Sequence, residues 1–372
     1  MSAGRFIGEI FARLDVDNGG QSSLPDGANC RREQSSTYES GPDDWRGSNK
    51  TRIWAAVSRI TGAKMKKAYV AKIEIESFLN RMFSEVGNIV QLKEGEESRA
   101  FAFKARDGEY VLRLNGHIED FRKDAYVYQN FTSAELPVPK IVSVGAFDQD
   151  LSYCVSRRAP GITLQDLNEA SLSAVLTPVA EVLSAISSIE PEQIGFGPFG
   201  SDGVGRFASW RSFVLAVADP MQYDWAALGL GEKAKVVARA LEFLLSSASQ
   251  YSDEHRLVHG DFGSNNVLSE GGRITGVIDW SEALIGDPLY DLANIFFWRP
   301  WLTCMEHQAR YFEHRDPALV RAQRFLGYQL RIGLEQLYQS ALNGECEDAE
   351  WALLRCETIS DLSTFGARDM SS

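Results

Sequence analysis

His259, Asp261 and Asn266 fall within one short segment, and Asp279 follows beyond a stretch with strand-like ends. Phosphoryl transfer to a hydroxyl needs such a set. One carboxylate orients the hydroxyl and takes its proton, while an amide oxygen and a second carboxylate hold Mg²⁺ on the phosphates. The protein does little covalent chemistry there, so placement and charge neutralisation carry the catalysis. Asp261 suits the first role, and Asn266 and Asp279 the second. The segment 259–266 alone would also fit a helix cap or an Asx-rich turn. The hairpin that leads on to Asp279 separates a catalytic loop from a turn. Asp261, Glu270, Asp279, Glu282, Asp287 and Asp291 crowd around a single basic residue, Arg273. Such an excess repels itself unless cations occupy it.

These groups need a scaffold. Strand candidates at 266–268 and 274–278, turned by Glu270, Gly271, Gly272 and Arg273, form the hairpin. Upstream, 73–83 has helical spacing, and strand-like runs at 100–105 and 110–114 meet at a turn through Asp107 and Gly108. A helix over 121–132 is stopped by Leu136, Pro137, Val138 and Pro139, and strands at 141–147 and 151–156 follow. Downstream, Leu172, Val175, Leu176, Val179, Leu183 and Ile186 share a helical face, and 234–245 and 325–342 repeat the pattern. The pattern predicts a bilobal α+β fold, like that of protein kinases, with a small antiparallel-sheet lobe and a larger, mainly helical lobe. We place the small lobe at 65–156, the helical lobe at 157–365 and a tail at 366–372. Residues 15–50 are rich in Gly, Ser, Asn, Asp and Pro and lack a period, so 1–64 reads as a disordered extension.

Composition excludes several classes. The formal charge of −13 argues against a nucleic-acid surface and suits a cationic substrate, although acidity also serves solubility alone. The five cysteines lack CxxC spacing and read as free thiols in a reducing cytoplasm. No apolar run approaches eighteen residues, so no membrane span is expected.

HGDFGSNN (259–266), VIDW (277–280) and GDPLYDLA (286–293) resemble the aminoglycoside phosphotransferases, as do LKEGEESRAF, YVLRLN, SRRAPGITLQDL, GFGPFG and ANIFFWRPW. The similarity runs from about Met65 to beyond Tyr338 and is nearest the hygromycin B branch. It implies an ATP- and Mg²⁺-dependent O-kinase, expected as a monomer, acting on an aminocyclitol or aminoglycoside, with hygromycin B at its 4-hydroxyl the expected acceptor. Another hydroxylated metabolite such as choline, a sugar amine or homoserine is the alternative acceptor. A nucleotide-binding pseudokinase is the alternative class, and intact Asp261, Asn266 and Asp279 argue against it.

The resemblance places Arg113 where the family has a phosphate-binding Lys, Val111 over the adenine and Asp124 as the helix partner of Arg113. Strand alternation independently puts Val111 and Arg113 on one face. By resemblance Ser98, after Glu94 and Gly95, lies in the nucleotide-positioning loop, and the backbone of Arg157 and Ala159 binds adenine. Glu282 is the candidate for a substrate amine. Trp298 and Trp301 offer flat faces to sugar rings, with core packing as the alternative for either. Asp287 and Asp291 are expected to brace the catalytic loop, and His259 to hydrogen-bond behind it. Because the match begins near Met65, that residue is the expected functional start. Deleting residues 1–64 should leave phosphoryl transfer intact, and loss of activity in a truncated chain that still folds would refute this.

Overall fold

The computed structural model describes residues 70–92 and 98–369, with the side chains of 363–369 left aside. The expected extension at 1–64, and Glu94 and Gly95 of the expected phosphate loop, lie outside the described residues. The first lobe opens with α1 (Lys72–Met82), whose Ile75, Phe78 and Leu79 are buried. A five-stranded antiparallel sheet follows, built from β1 (Gly87–Gln91), β2 (Arg99–Ala105), β3 (Gly108–Asn115), β4 (Ile141–Ala146) and β5 (Ser152–Arg157). Its spatial order is β1-β2-β3-β5-β4. The two-residue period of β3 turns Tyr110, Leu112 and Leu114 into a core shared with α1, Phe101, Phe103 and Val155. Val111 and Arg113 point to the opposite face, where α2 (Ile118–Phe131) joins β3 to β4.

Past Arg157 a short linker leads to β6 (Ile162–Thr163), which pairs with β10 (Val267–Glu270). With β11 (Arg273–Val277) these make a three-stranded sheet holding the expected hairpin. A second sheet sets β8 (Gly205–Phe207), β7 (Phe196–Phe199), β12 (Leu284–Gly286) and β9 (Arg256–Val258) side by side. Neither this sheet nor β1 was expected. Strands of three to five residues are too short to show a period, and burial in β1 does not alternate cleanly.

Helices complete the lobe. Among them are α3 (Glu169–Ser188), α4 (Trp210–Leu215), α5 (Ala234–Ser246), α6 (Leu289–Trp298), α7 (Thr303–Arg315), α8 (Gln323–Leu342) and α9 (Cys346–Asp369). Asn168 caps α3 by accepting a bond from the Ser171 amide at 2.9 Å. By length and hydropathy α3 alone among the described helices would suffice to cross a membrane. Its Leu172, Val175, Val179, Val182 and Ile186 are buried in the helical-lobe core. The final helix continues past residue 365 to Asp369.

Candidate active site

The loop after β9 is pinned from below before it can present Asp261. Asp291, in the first turn of α6, accepts the amides of His259 (2.8 Å) and Gly260 (2.7 Å) on its two carboxylate oxygens. One turn on, the Asn294 side chain donates to Phe262 O at 3.4 Å. Gly260 has φ 84°, and a Cβ there would lie 2.1 Å from Glu282 O, so the loop closes on the 279–283 segment only with glycine. His259 is fully buried; its Nε2 meets Ile278 O at 3.1 Å and its Nδ1 accepts the Asp261 amide at 3.3 Å. Both contacts fit one neutral tautomer with the proton on Nε2. Burial pushes the imidazole down to about 4, so it stays uncharged near neutrality. Above this base Asp261 is exposed, and Asn266 Nδ2 donates to its O (2.9 Å) and Oδ2 (2.8 Å).

Asn266 leads into β10 and accepts the Ile278 amide at 2.9 Å, which brings Asp279 alongside. Asp279 adopts φ 60°, left-handed for a residue with a Cβ, at a cost of about 1 kcal/mol. The Ser281 hydroxyl donates to its Oδ1 at 3.0 Å. The next amide, Trp280 N–H, reaches Asp124 Oδ1 at 2.8 Å, and Asp124 Oδ2 pairs with the Arg113 guanidinium. Asp124 is 3% exposed. Burial and the nearby Asp279 push its carboxyl up, while Arg113 and the Trp280 amide pull it back. Burial opposes the charge on Arg113, but Asp124 and Asp279 outweigh it and raise its pKa. The residues fit Mg²⁺. Asp279 and Asn266 offer two hard oxygens, and a hard cation fills its remaining sites with water and phosphate. Among the described residues no cluster of three His, Cys, Asp or Glu competes for a softer metal.

The sheet face that carries Val111 and Arg113 is lined by small side chains. Val111 is flanked across the strands by Ala102 and Ser156, and Arg113 by Ala100 and Cys154. Arg157 turns its side chain outward, donating to Asp107 O (2.7 Å) and Oδ2 (2.9 Å) and lying over the Tyr110 ring. Ala159 packs against Gly276 of β11, where an added Cβ would sit 2.7 Å from its own. Thr275 fixes the linker by donating to Pro160 O at 2.6 Å. Ser98 is half-buried just before β2.

Glu282 is half-buried within the turn that begins at Asp279. Asp287 is buried and bound by Tyr328 Oη (2.7 Å) and the Leu289 amide (3.0 Å), so it braces the fold together with Asp291. Asp291, Asn294 and Trp298 share one stripe of α6, which puts Trp298 roughly 10 Å along the helix from Asp291. Trp298 stacks on Trp351 at 5.1 Å, the packing alternative named above. Trp301 stands across both rings and is 48% exposed. Sequence reasoning missed Lys123, which reads as a solvated helical lysine. The available signal was that Lys123 and Asp124 stand four and three residues before Val127, on the helix stripe where an apolar pair would be expected.

Neutral His259 gives a pH prediction. Its pKa in the fold lies below the 6.5 of an unfolded histidine, so its contribution is complete above pH 6.5 and is lost as pH falls through about 4. The loss amounts to roughly 3 kcal/mol. Between pH 6.5 and 4 the urea midpoint of the native chain should drop relative to that of His259→Gln, because Asp291 titrates in both and cancels in the comparison. Parallel slopes would contradict a buried neutral imidazole.

Comparison with known proteins gives the family. Residues 88–329 match the phosphotransferase enzyme family. Hygromycin-B 4-O-kinase of Escherichia coli is 51% identical over 296 residues, covering 79% of this chain and 87% of that protein. The crystal structure of aminoglycoside phosphotransferase APH(4)-Ia superposes with a TM-score of 0.76 at 51% identity, covering 78% of this chain and 99% of that one. A thermostable mutant of the same enzyme, solved as a ternary complex with AMP-PNP and hygromycin B, gives a TM-score of 0.75 at 52% identity, covering 78% and 98%. The expected bilobal α+β fold is thus the observed one, and the chain belongs to the phosphotransferase enzyme family, among its aminoglycoside phosphotransferases.

Proposed function

We propose that this chain transfers the γ-phosphoryl group of ATP to the 4-hydroxyl of hygromycin B in an Mg²⁺-dependent reaction. The observation that carries the reading is the pinned loop with its exposed Asp261, held beside Asp279 and the Arg113–Asp124 pair. The identity to hygromycin-B 4-O-kinase supports the choice of acceptor. Adenine lies against Val111, with the carbonyl of Arg157 and the amide of Ala159 reading its edge, and Arg113 and Ser98 hold the phosphates. Asn266 and Asp279 would hold Mg²⁺, which neutralises phosphate charge when bound. Asp261 orients the acceptor hydroxyl. Its oxygen bonds to the γ-phosphorus as the bond to ADP breaks, and the hydroxyl proton passes to the Asp261 carboxylate late in transfer. Asn266 Nδ2 keeps that carboxylate in one rotamer. Glu282 takes an ammonium of the drug, and Trp301, with Trp298 behind it, faces a sugar ring. The reading is of a monomer working in the cytoplasm on its ATP.

Two measurements test this. Asp261→Ala should lower kcat about 10²- to 10⁴-fold and leave nucleotide affinity unchanged; native turnover would place the base elsewhere. Cells expressing the chain should grow on hygromycin B at concentrations that stop control cells. Protection against a different aminoglycoside alone would contradict the acceptor.

A further inference from the structure

Lys123 precedes Asp124 in α2, yet only 5% of its surface is exposed. An ammonium so far from solvent must place its three donors on partners. Its Nζ donates to Ser281 O at 2.9 Å and to Ala283 O at 2.6 Å, and lies 4.5 Å from the centre of the Phe199 ring. Both carbonyls belong to the turn that begins at Asp279. A residue with a Cβ at positive φ, such as Asp279, stays there only when its surroundings hold it. Two ties from α2 do so: Asp124 takes the Trp280 amide on one side, and Lys123 takes the two carbonyls that follow. Ser281, fixed through its carbonyl, turns its hydroxyl onto Asp279 Oδ1 at 3.0 Å.

We propose that Lys123 is a positioning residue for Asp279: its ammonium fixes the 279–283 turn so that Ser281 aims the carboxylate at the bound divalent cation. The inference rests on the metal-binding role proposed for Asp279. Groups that orient a metal ligand from behind change metal affinity or activity about 10- to 100-fold when removed. A lysine that served only packing would change stability and leave metal dependence alone.

The test uses the full chain and two readouts. One is the Mg²⁺ concentration giving half-maximal rate; the other is the extra rise in melting temperature that Mg²⁺ adds to AMP-PNP. Lys123→Met should raise the half-saturating Mg²⁺ about 10- to 100-fold and remove most of that extra rise. The rise given by AMP-PNP without metal should persist. Lys123→Arg, which keeps the charge and donors, should recover part of both. Asp279→Ala separates this proposal from the reading beneath it. If Asp279→Ala keeps the Mg²⁺-dependent rise, the metal assignment itself fails. If Asp279→Ala loses the rise and Lys123→Met retains it with native half-saturation, Lys123 does not position Asp279 and the proposal is overturned. Should Lys123→Met not fold, Ser281→Ala carries the same test at a half-buried side chain. A clear increase in half-saturating Mg²⁺ supports the relay, and a native value overturns it.

Discussion

One buried carboxylate ties the two lobes together. Asp124, on the helix of the small lobe, receives the Arg113 guanidinium from β3 and the Trp280 amide from the 279–283 turn of the large lobe. A charge so buried is tolerable only when paired, and removing one partner of a buried pair costs about 3–5 kcal/mol. The face of the sheet that carries Arg113 is therefore not free to slide relative to Asp279. Lys123 runs parallel to this link, one residue earlier, and reaches the same turn.

The acidic crowd resolves by what each carboxylate has been given. Asp291 is saturated by two backbone amides, and burial still pushes it up to about 7. Asp287 is held by Tyr328, the Leu289 amide and Arg324. These two therefore act as structure. Asp261 and Asp279 instead take side-chain donors from Asn266 and Ser281 and lie nearer solvent, as the proposed roles towards acceptor and phosphate require. The cations demanded by the excess of acid are partly the chain's own: Arg113 and Lys123 come from the small lobe and Arg324 from α8. With net charge −13, the remainder of the field favours an approaching polyamine-like drug.

The loop from His259 to Asn266 and its hairpin were legible because turn residues, glycines and carboxylates fall at fixed offsets. The face carrying Val111 and Arg113 was legible because strands alternate. The expected neutralisation of the acidic segment was read too narrowly, since the counter-charges are distant in sequence and meet it only in the fold. The same distance hid the partners of Lys123: its place on the stripe of Val127 hints at burial, but nothing local names carbonyls more than a hundred residues away. The four-stranded sheet that carries β9 and β12 escaped because its strands are too short for a period. Nothing local separates a sugar platform from core packing at Trp298, because the stack that occupies one of its indole faces is with Trp351, more than fifty residues away.

The central claim is a bond between a transferred phosphoryl group and one named oxygen. Phosphorus–proton correlation spectra of hygromycin B, recorded after incubation with the chain, ATP and Mg²⁺, read that bond directly. The account predicts one new phosphoester, coupled to the proton on carbon 4, in step with the ADP formed. A phosphate on another oxygen, or ADP formed with the drug unmodified, would contradict it.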